Sequence, residues 1–206
     1  MENATLESIW IGNEITVLGM DFIGECTSLK SLYIPYSVTD YGEGSAYGCT
    51  SLESIVVDKD NPVFDSRNNC NAIIETATNR LFDGCKNTII PDDVVELGVS
   101  AFCDKSIVSI NIPDSVSLID MVCFAASAGL TSVTIGSGIS EIKKAAFKDC
   151  SDLVSVTINA TTPPTLNNTA FSGTTCSIYV PSGSVAAYKA ATNWNNLADR
   201  IQAIPS

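Results

Sequence analysis

The most regular feature of the chain is a short alternation of apolar and polar positions that returns at a fixed interval. Each copy opens on an apolar residue, and the openings lie 23 residues apart within two runs, Leu6, Leu29, Leu52 and Ile107, Leu130, Leu153. The copies are variants of Leu-x-Ser-Ile-x-Ile. This alternation predicts a short strand with one buried face, and a period of this length is typical of stacked repeats. The sequence therefore predicts a solenoid rather than a closed globule.

Two outward positions of the predicted strand recur from copy to copy. The third residue is serine throughout, at Ser8, Ser31, Ser54, Ser109, Ser132 and Ser155. The fifth residues are Trp10, Tyr33, Val56, Asn111, Thr134 and Thr157. Stacking places each set in a ladder, and we expect the two ladders to form one accessible sheet surface. The fifth-position residues are therefore the candidate binding residues.

Trp10 and Tyr33 are the aromatic members of this ladder and are predicted to be neighbours on it. Such a pair offers a platform for a sugar ring or an apolar anchor for a protein. An alternative is that Trp10 covers the edge of the first coil. The sequence alone leaves both interpretations open.

The rest of each coil is predicted to turn at proline or glycine, supply a second apolar pair and close through an aromatic and a cysteine. The proposed closing pairs are Phe22 with Cys26, Tyr47 with Cys49, and Phe147 with Cys150, whereas Phe102 and Phe124 keep the aromatic with Lys or Ala at the cysteine position. Because these cysteines recur at one place, we predict that they face the interior as small apolar side chains. Cys70 and Cys85 are the pair to test for a disulfide.

The period fails once, between Leu52 and Ile107. Repeats are assigned to 4–57 and 90–160, and aligning Val57 with Ile90 makes the insertion 33 residues long, with its body at 58–89. Residues 72–75, 76–79 and 80–83 predict strand, turn and strand. We expect this hairpin to project beside the stack or to widen one coil.

Residues 161–206 are predicted to cap the last coil within a single domain spanning 1–206. The expected elements are a strand at 177–180, a helix capped by Ser182 and running through Ala191, a short helix at 194–200 and a strand at 201–204. Such a segment covers an apolar edge that would otherwise associate with other chains.

Composition excludes several functional classes. The net charge of -12, with 11 Lys and Arg, disfavours binding to nucleic acid or an anionic membrane. No apolar run is long enough to cross a bilayer, and residues 1–5 lack the pattern of an export signal. The chain has no histidine, which removes the commonest general base and many metal sites.

The acidic residues of the insertion and of the following turn are candidates for paired carboxylates or calcium ligands. They are Asp58, Asp60, Asp65 and the pair Asp92 and Asp93. Their spacing does not match a calcium loop, so they are interpreted as solvated turn residues. We therefore predict no catalytic residue, no metal and no cofactor.

The segment Leu-Lys-Ser-Leu-Tyr-Ile-Pro-Tyr-Ser-Val-Thr at 29–39, followed by Gly-Cys-Thr-Ser-Leu at 48–52, resembles the BspA-type leucine-rich repeat of bacterial surface proteins. The resemblance covers roughly 4–160, and residues 61–75 and 179–184 are similar to other elements of that family. It implies a β-rich α/β fold, a right-handed solenoid displayed outside the cell and often associated with adhesion or protein binding. It carries no shared catalytic or binding residues.

Together these observations predict a non-enzymatic extracellular binding or adhesion scaffold. The expected partner is a macromolecule, specifically a protein of a host or neighbouring cell. The alternative is a glycan-binding or glycan-capture module of a bacterial surface system. The extracellular or cell-surface location is inferred from the family resemblance alone.

Overall fold

A computed structural model describes residues 5–205. Residues 1–4 and Ser206 lie outside the described part, and so does most of the N-terminal segment in which no export signal is predicted. The described chain forms stacked coils with two walls of short parallel strands. One wall contains the four-residue strands β2 (Ser31–Ile34), β4 (Ser54–Val57), β9 (Ser109–Ile112), β11 (Ser132–Ile135), β13 (Ser155–Ile158) and β15 (Ser177–Val180). The other contains the two-residue strands β1 (Val17–Leu18), β3 (Asp40–Tyr41), β8 (Glu96–Leu97), β10 (Leu118–Ile119), β12 (Glu141–Ile142) and β14 (Thr165–Leu166).

The predicted alternation and register are confirmed in the longer strands. Leu32 and Ile34 of β2 are buried, while Ser31 and Tyr33 between them are exposed. Serine pairs with serine across every parallel contact of β2 with β4 and of β9, β11, β13 and β15 with one another. In the first coil this wall is reduced to an isolated bridge between Ser8 and Ser31.

The expectation of one continuous sheet surface is wrong. The longer strands form a two-stranded sheet, β2–β4, and a separate five-stranded sheet that runs from β9 to β15 and ends on β16 (Ile201–Ala203). The coil between the two sheets is shorter on this side. Four residues separate Cys85 from Ile90 in this coil, whereas seven residues separate the equivalent Cys49 and Val57 in the preceding one. Residues 85–90 therefore cross this wall without forming a strand.

The predicted hairpin is confirmed as β6 (Ala72–Glu75) paired antiparallel with β7 (Arg80–Gly84), with β5 (Phe64–Asp65) added antiparallel to β6. It does not project from the stack. β7 pairs in parallel with β8, so the hairpin extends the wall of two-residue strands into a seven-stranded sheet. Side chains of β6 pack into two different cores, since Ile73 joins the cluster of the N-terminal coils and Ile74 joins that of the C-terminal coils.

The C-terminal core is organised around stacked phenylalanines. The rings of Phe102, Phe124, Phe147 and Phe171 lie parallel, with centroids 5.0, 5.0 and 5.2 Å apart. Trp194 ends the series with a tilted contact at 6.3 Å. Because consecutive strands of a sheet are about 4.8 Å apart, one ring per coil produces this offset stacking.

In the N-terminal coils the predicted aromatic positions are wrong by one residue. Cys49 donates to the carbonyl of Ile23 and Cys150 donates to that of Phe124, both at 3.0 Å, so Ile23 is the counterpart of Phe124. Ile23 and Ala46 are buried, whereas Phe22 is 39% exposed and Tyr47 is partly exposed. The spacing wobble in the sequence concealed this shift.

The prediction that Cys26, Cys49 and Cys150 face the core is confirmed. Of the other five cysteines, four are also buried and Cys103 is partly exposed. All eight are free thiols, including Cys70 and Cys85, so the structure contains no bridge between that pair. At the recurring position, Cys49 and Cys150 each donate to a backbone carbonyl of the preceding coil. Ser127 replaces cysteine there and donates to Phe102 at 2.7 Å, where the sequence interpretation had placed an alanine.

The repeats continue into the predicted capping range, because β14 and β15 extend both walls beyond residue 160. The cap then consists of 3₁₀ turns at Ser182–Ser184 and Trp194–Arg200, an α-helix at Val185–Ala190, and β16. Ser182 does not cap the helix. The helix instead docks through Tyr188, whose hydroxyl donates to the carbonyl of Ala160 at 2.9 Å. Between residues 5 and 205, no helix has the length and apolar character to cross a membrane.

Charged side chains connect the hairpin to the coils on both sides, and we call Glu43, Arg80, Asp83 and Lys105 the polar joint. Arg80 lies 2.6 Å from Glu43 on the N-terminal side and 2.6 and 2.7 Å from Glu96 and Asp120 on the C-terminal side. Lys105 is fully buried, lies 3.8 Å from Asp83 and donates to the carbonyl of Ala46.

Candidate functional site

The predicted ladder is divided into two chemically different halves. Trp10, Tyr33 and Val56 are 83, 45 and 46% exposed and form what we call the apolar patch. Tyr33 and Val56 are register partners in β2 and β4. Asn111, Thr134 and Thr157 are register partners in the five-stranded sheet and form the polar row. The structure therefore brings the candidate residues together in two groups rather than one.

Ile89 is an exposed ladder residue that the sequence interpretation missed. The alignment of Val57 with Ile90 places Ile89 at the position of Val56, and Ile89 is 77% exposed. Its amide donates to the carbonyl of Cys70 at 3.1 Å, which fixes the backbone without a strand. The signal was present in the alignment, but the missing Leu-x-Ser motif hid it.

Tyr33 is held in place by a carboxylate from the next coil. Its hydroxyl donates to Asp58 at 2.5 Å, and Asp58 also accepts from the backbone N–H of Asp60 at 2.9 Å. The hydrogen bond to Asp58 raises the pKa of Tyr33, and the same bond lowers the pKa of Asp58. The apolar patch thus contains an oriented aromatic ring beside an ionised carboxylate.

Trp10 lies in the first coil that the structure describes. Its ring lies over Gly12, where an added Cβ would come within 3.3 Å of the ring. With Ile15, Val17 and Phe22 it also lines an open apolar hollow of about 440 Å³ beside β1. These contacts agree with a role in covering the first coil, while the exposure of Trp10 leaves its outer face available to a partner.

The polar row borders a second hollow. Asn111 lines an open cavity of about 380 Å³ together with Asp92, Asp114 and Asn159, where the chain turns after the strands. Asp114 accepts from the backbone N–H of Ser137 at 2.6 Å, so one of its oxygens is committed to the turn. The hollow is lined mainly by polar atoms and lacks an aromatic wall.

Several acidic residues weighed as metal or catalytic carboxylates are engaged by basic side chains. Arg67 lies 2.7 Å from both Asp65 and Asp93, and Lys59 lies 2.7 Å from Asp60. Over the described range 5–205, no three histidine, cysteine or acidic residues are grouped so as to hold a metal ion. These carboxylates organise turns of the insertion.

The stacked coils match a known repeat at the level of sequence. The family model for the BspA type leucine rich repeat region matches six copies over residues 1–73 and 66–179. The chain belongs to the BspA-type leucine-rich repeat family. No curated protein gives a significant sequence match to the chain.

Solved structures of bacterial leucine-rich repeat proteins share this fold. A leucine rich cell surface protein from Faecalibacterium prausnitzii has a TM-score of 0.64 at 20% identity, over 95% of this chain and 59% of that one. The pneumococcal vaccine antigen PcpA has a TM-score of 0.58 at 13% identity, over 93% of this chain and 64% of that one. The chain therefore spans about three fifths of the length of these proteins, and at such identities the likeness shows the fold alone.

Proposed function

We propose that this member of the BspA-type family is a non-enzymatic cell-surface scaffold that binds a protein partner through the apolar patch. The observation that carries the proposal is the exposure of Trp10, Tyr33 and Val56 at the same position of three consecutive coils, which the Ser8–Ser31 bridge and the pairing of β2 with β4 keep in register. Tryptophan and tyrosine are enriched among residues that dominate binding energy.

The physical setting supports protein binding in two further ways. Tyr33 and Val56 lie on paired strands, so little conformational freedom of their backbone is lost when a partner docks. The whole chain carries a net charge of -12, which favours a basic partner and speeds its approach. The family resemblance supports an extracellular setting.

The proposal is tested by measuring binding of the protein to an immobilised panel of extracellular-matrix and cell-surface proteins. Trp10→Ala and Tyr33→Ala are each expected to weaken a positive interaction by about tenfold or more. Thr134→Ala and Thr157→Ala, in the polar row, are the matched controls and are expected to change affinity by less than about twofold. Equal losses from both pairs would contradict the assignment to the apolar patch.

A glycan partner is the second candidate, and the contact between Tyr33 and Asp58 favours it. An aromatic face next to an ionised carboxylate matches the apolar face and hydroxyl donors of a sugar ring. A glycan array run beside the protein panel separates the two. Binding confined to glycans and abolished by Trp10→Ala would replace the protein proposal with this one.

The non-enzymatic part of the proposal follows from the engagement of the acidic groups and the absence of histidine from the sequence. Burial also raises the pKa of the Cys49 thiol to about 11 and that of Cys150 to about 12, which leaves them poor nucleophiles at neutral pH. A screen of hydrolase substrates is expected to show no turnover, and turnover lost on mutation of a named carboxylate would contradict the proposal.

A further inference from the structure

A groove lies at the opposite end of the molecule from the apolar patch, where β12 and β14 meet the C-terminal cap. We call it the cap groove. Its charged lining residues are Lys143, Lys144 and Glu141, and its uncharged polar ones are Thr165, Asn167, Asn168 and Asn193. The hollow has a volume of about 380 Å³ and continues into adjoining hollows of about 240 and 90 Å³ that share Leu166 and Asn193. An extended open groove of this kind accommodates a chain-like ligand better than a compact one.

The walls of the groove are held by the repeat. The backbone N–H of Lys143 donates to Ile119 at 3.0 Å, and that of Asn167 donates to Ile142 at 3.0 Å, so the two side chains occupy equivalent positions in consecutive coils. Ile142 pairs with Leu166 in the sheet. Lys144 and Asn168, which each lie two residues after a member of this pair, are therefore also at equivalent positions. The cap supplies the third wall through Asn193.

Hydrogen bonds within the protein fix two of the amides and leave their other ends available. Asn193 donates through Nδ2 to the carbonyl of Leu166 at 2.7 Å, and Oδ1 of Asn167 accepts from Thr169 Oγ1 at 2.8 Å and from its backbone N–H at 3.0 Å. Within residues 5–205, Asn193 Oδ1 and Asn167 Nδ2 have no protein partner, and neither does the side chain of exposed Asn168. The groove thus presents paired donors and acceptors.

Lys143, Lys144 and Glu141 give the groove lining a formal charge of about +1, opposite in sign to that of the whole chain. Lys143 lies 3.1 Å from Asp120, which Arg80 also binds at 2.7 Å, so Lys143 is compensated within the protein and Lys144 is the lysine left for a ligand. Burial acts to raise the pKa of Asp120, yet the hydrogen bonds from Arg80, Met121 and Lys143 outweigh it and lower that pKa. No carboxylate in the described chain lies within ion-pair distance of Lys144. A lysine and free amides therefore face solvent together in a protein of charge -12.

We infer that the cap groove binds an acidic oligosaccharide, with its amides on the sugar hydroxyls and Lys144 on a sugar carboxylate. Sugar hydroxyls donate and accept at once, which matches amides that present both functions. An acidic peptide fits less well, because Leu166 is buried and leaves no deep apolar pocket for a side chain. The site is separate from the apolar patch and does not depend on its function.

The test is calorimetric titration of the protein with tetragalacturonate, with its methyl ester and with tetraglutamate as comparison probes. Lys144→Gln and Asn168→Ala are each expected to weaken tetragalacturonate binding by about tenfold, the loss expected when a charge-assisted or well-placed hydrogen bond is removed. Lys189→Gln is the matched control, since Lys189 is an exposed lysine outside the groove and carries the same charge change. It is expected to leave the affinity unchanged.

Side-chain amide NMR signals of Asn167 and Asn193 in the unmutated protein provide a second readout, and they are expected to shift on addition of tetragalacturonate. Thermal unfolding of each variant verifies that it is folded. Trp10→Ala is expected to retain this binding, which separates the groove from the apolar patch. Absence of binding, equal affinity for the methyl ester or for tetraglutamate, or an equal loss with Lys189→Gln would overturn the inference.

Discussion

The coils before the insertion and those after it are built from the same repeat but have different interiors and different surfaces. After the insertion, one phenylalanine per coil stacks on the next, whereas the corresponding positions before it are held by Ile23 and Ala46. On the outer surface the aromatic residues are on the other side of the insertion. Trp10 and Tyr33 are exposed in the coils before it, whereas Thr134 and Thr157 occupy the equivalent positions after it. A repeat therefore fixes where side chains lie while leaving their chemistry free.

The two regions also meet in an unusual way. Their buried apolar residues form two separate clusters, and β6 lies between them with Ile73 facing one and Ile74 facing the other. The contacts that span the boundary include the polar joint. Its Arg80 binds Glu43 in the N-terminal coils and also binds Asp120 in the C-terminal coils. The insertion thus acts as a structural connection between two stacks.

The largest expected effect tests the difference between the two interiors. Phe124 is sandwiched between Phe102 and Phe147, so Phe124→Ala loses burial on both faces and two ring contacts. We expect it to lower the free energy of unfolding by about 4–5 kcal/mol. Ile23→Ala is the matched change in the N-terminal coils and is expected to lower it by about 2–3 kcal/mol. Urea denaturation followed by circular dichroism measures both, and a larger loss at Ile23 would contradict the comparison.

A slightly smaller effect is expected when the polar joint is broken. Lys105→Ala leaves buried Asp83 without its cation and leaves the carbonyl of Ala46 with only the backbone N–H of Cys49, at 3.3 Å. Loss of one partner from a buried pair costs about 3–5 kcal/mol, and we expect about 3 kcal/mol because Asp83 can become protonated.

The control for this change removes both charges. Replacing Asp83 with Asn and Lys105 with Met in one variant is expected to recover at least half of the loss, because no buried charge then remains unpaired. Denaturation curves of the single variant are also expected to broaden or separate into two steps, since the two stacks are less firmly coupled. A single variant as stable as the unmutated protein would show that the joint is not a structural connection.

The pH dependence of stability tests the polar joint through its buried carboxyl group, Asp83. Burial raises the pKa of Asp83 to about 6, although Lys105, Tyr41 and the backbone N–H of Ala46 oppose this shift. Since the folded-state pKa lies above the unfolded value of 3.8, folding takes up a proton in this range. The Asp83 contribution to stability therefore increases as pH falls from about 7 to about 4, and we expect a gain of about 2 kcal/mol.

Other carboxylates change stability in the opposite direction, so Asp83→Asn provides the reference. Asp120 has a lowered folded-state pKa, and its contribution is lost as pH falls below about 4. Subtracting the curve of Asp83→Asn from that of the unmutated protein isolates the buried carboxyl. A difference that is flat or falls between pH 7 and 4 would show that Asp83 stays ionised in the folded state.

The repeat register, the hairpin and the terminal strand were predictable because each follows from local spacing and turn chemistry. The break in the sheet was not, because it depends on how few residues separate Cys85 from Ile90 once the hairpin has joined the other wall. The aromatic shift at Phe22 and Tyr47 was hidden for a similar reason, since only the carbonyl contacts identify Ile23 and Ala46 as the counterparts. The candidate ladder was predictable residue by residue, but its division was not.

The smallest expected effect concerns the recurring position at which cysteine, serine and lysine replace one another. Cys150 and Ser127 both donate to the phenylalanine carbonyl of the preceding coil, at 3.0 and 2.7 Å. We therefore expect Cys150→Ser to lower the free energy of unfolding by about 1 kcal/mol or less, because the hydroxyl replaces the hydrogen bond and only a slightly smaller side chain results. Cys150→Ala, which removes the thiol donor and leaves the carbonyl of Phe124 with only the backbone N–H of Ser127 at 3.2 Å, is expected to cost about 1–2 kcal/mol. Thermal denaturation of the pair measures the difference, and a serine variant less stable than the alanine variant would show that sulfur packing, rather than the hydrogen bond, determines the residue at this position.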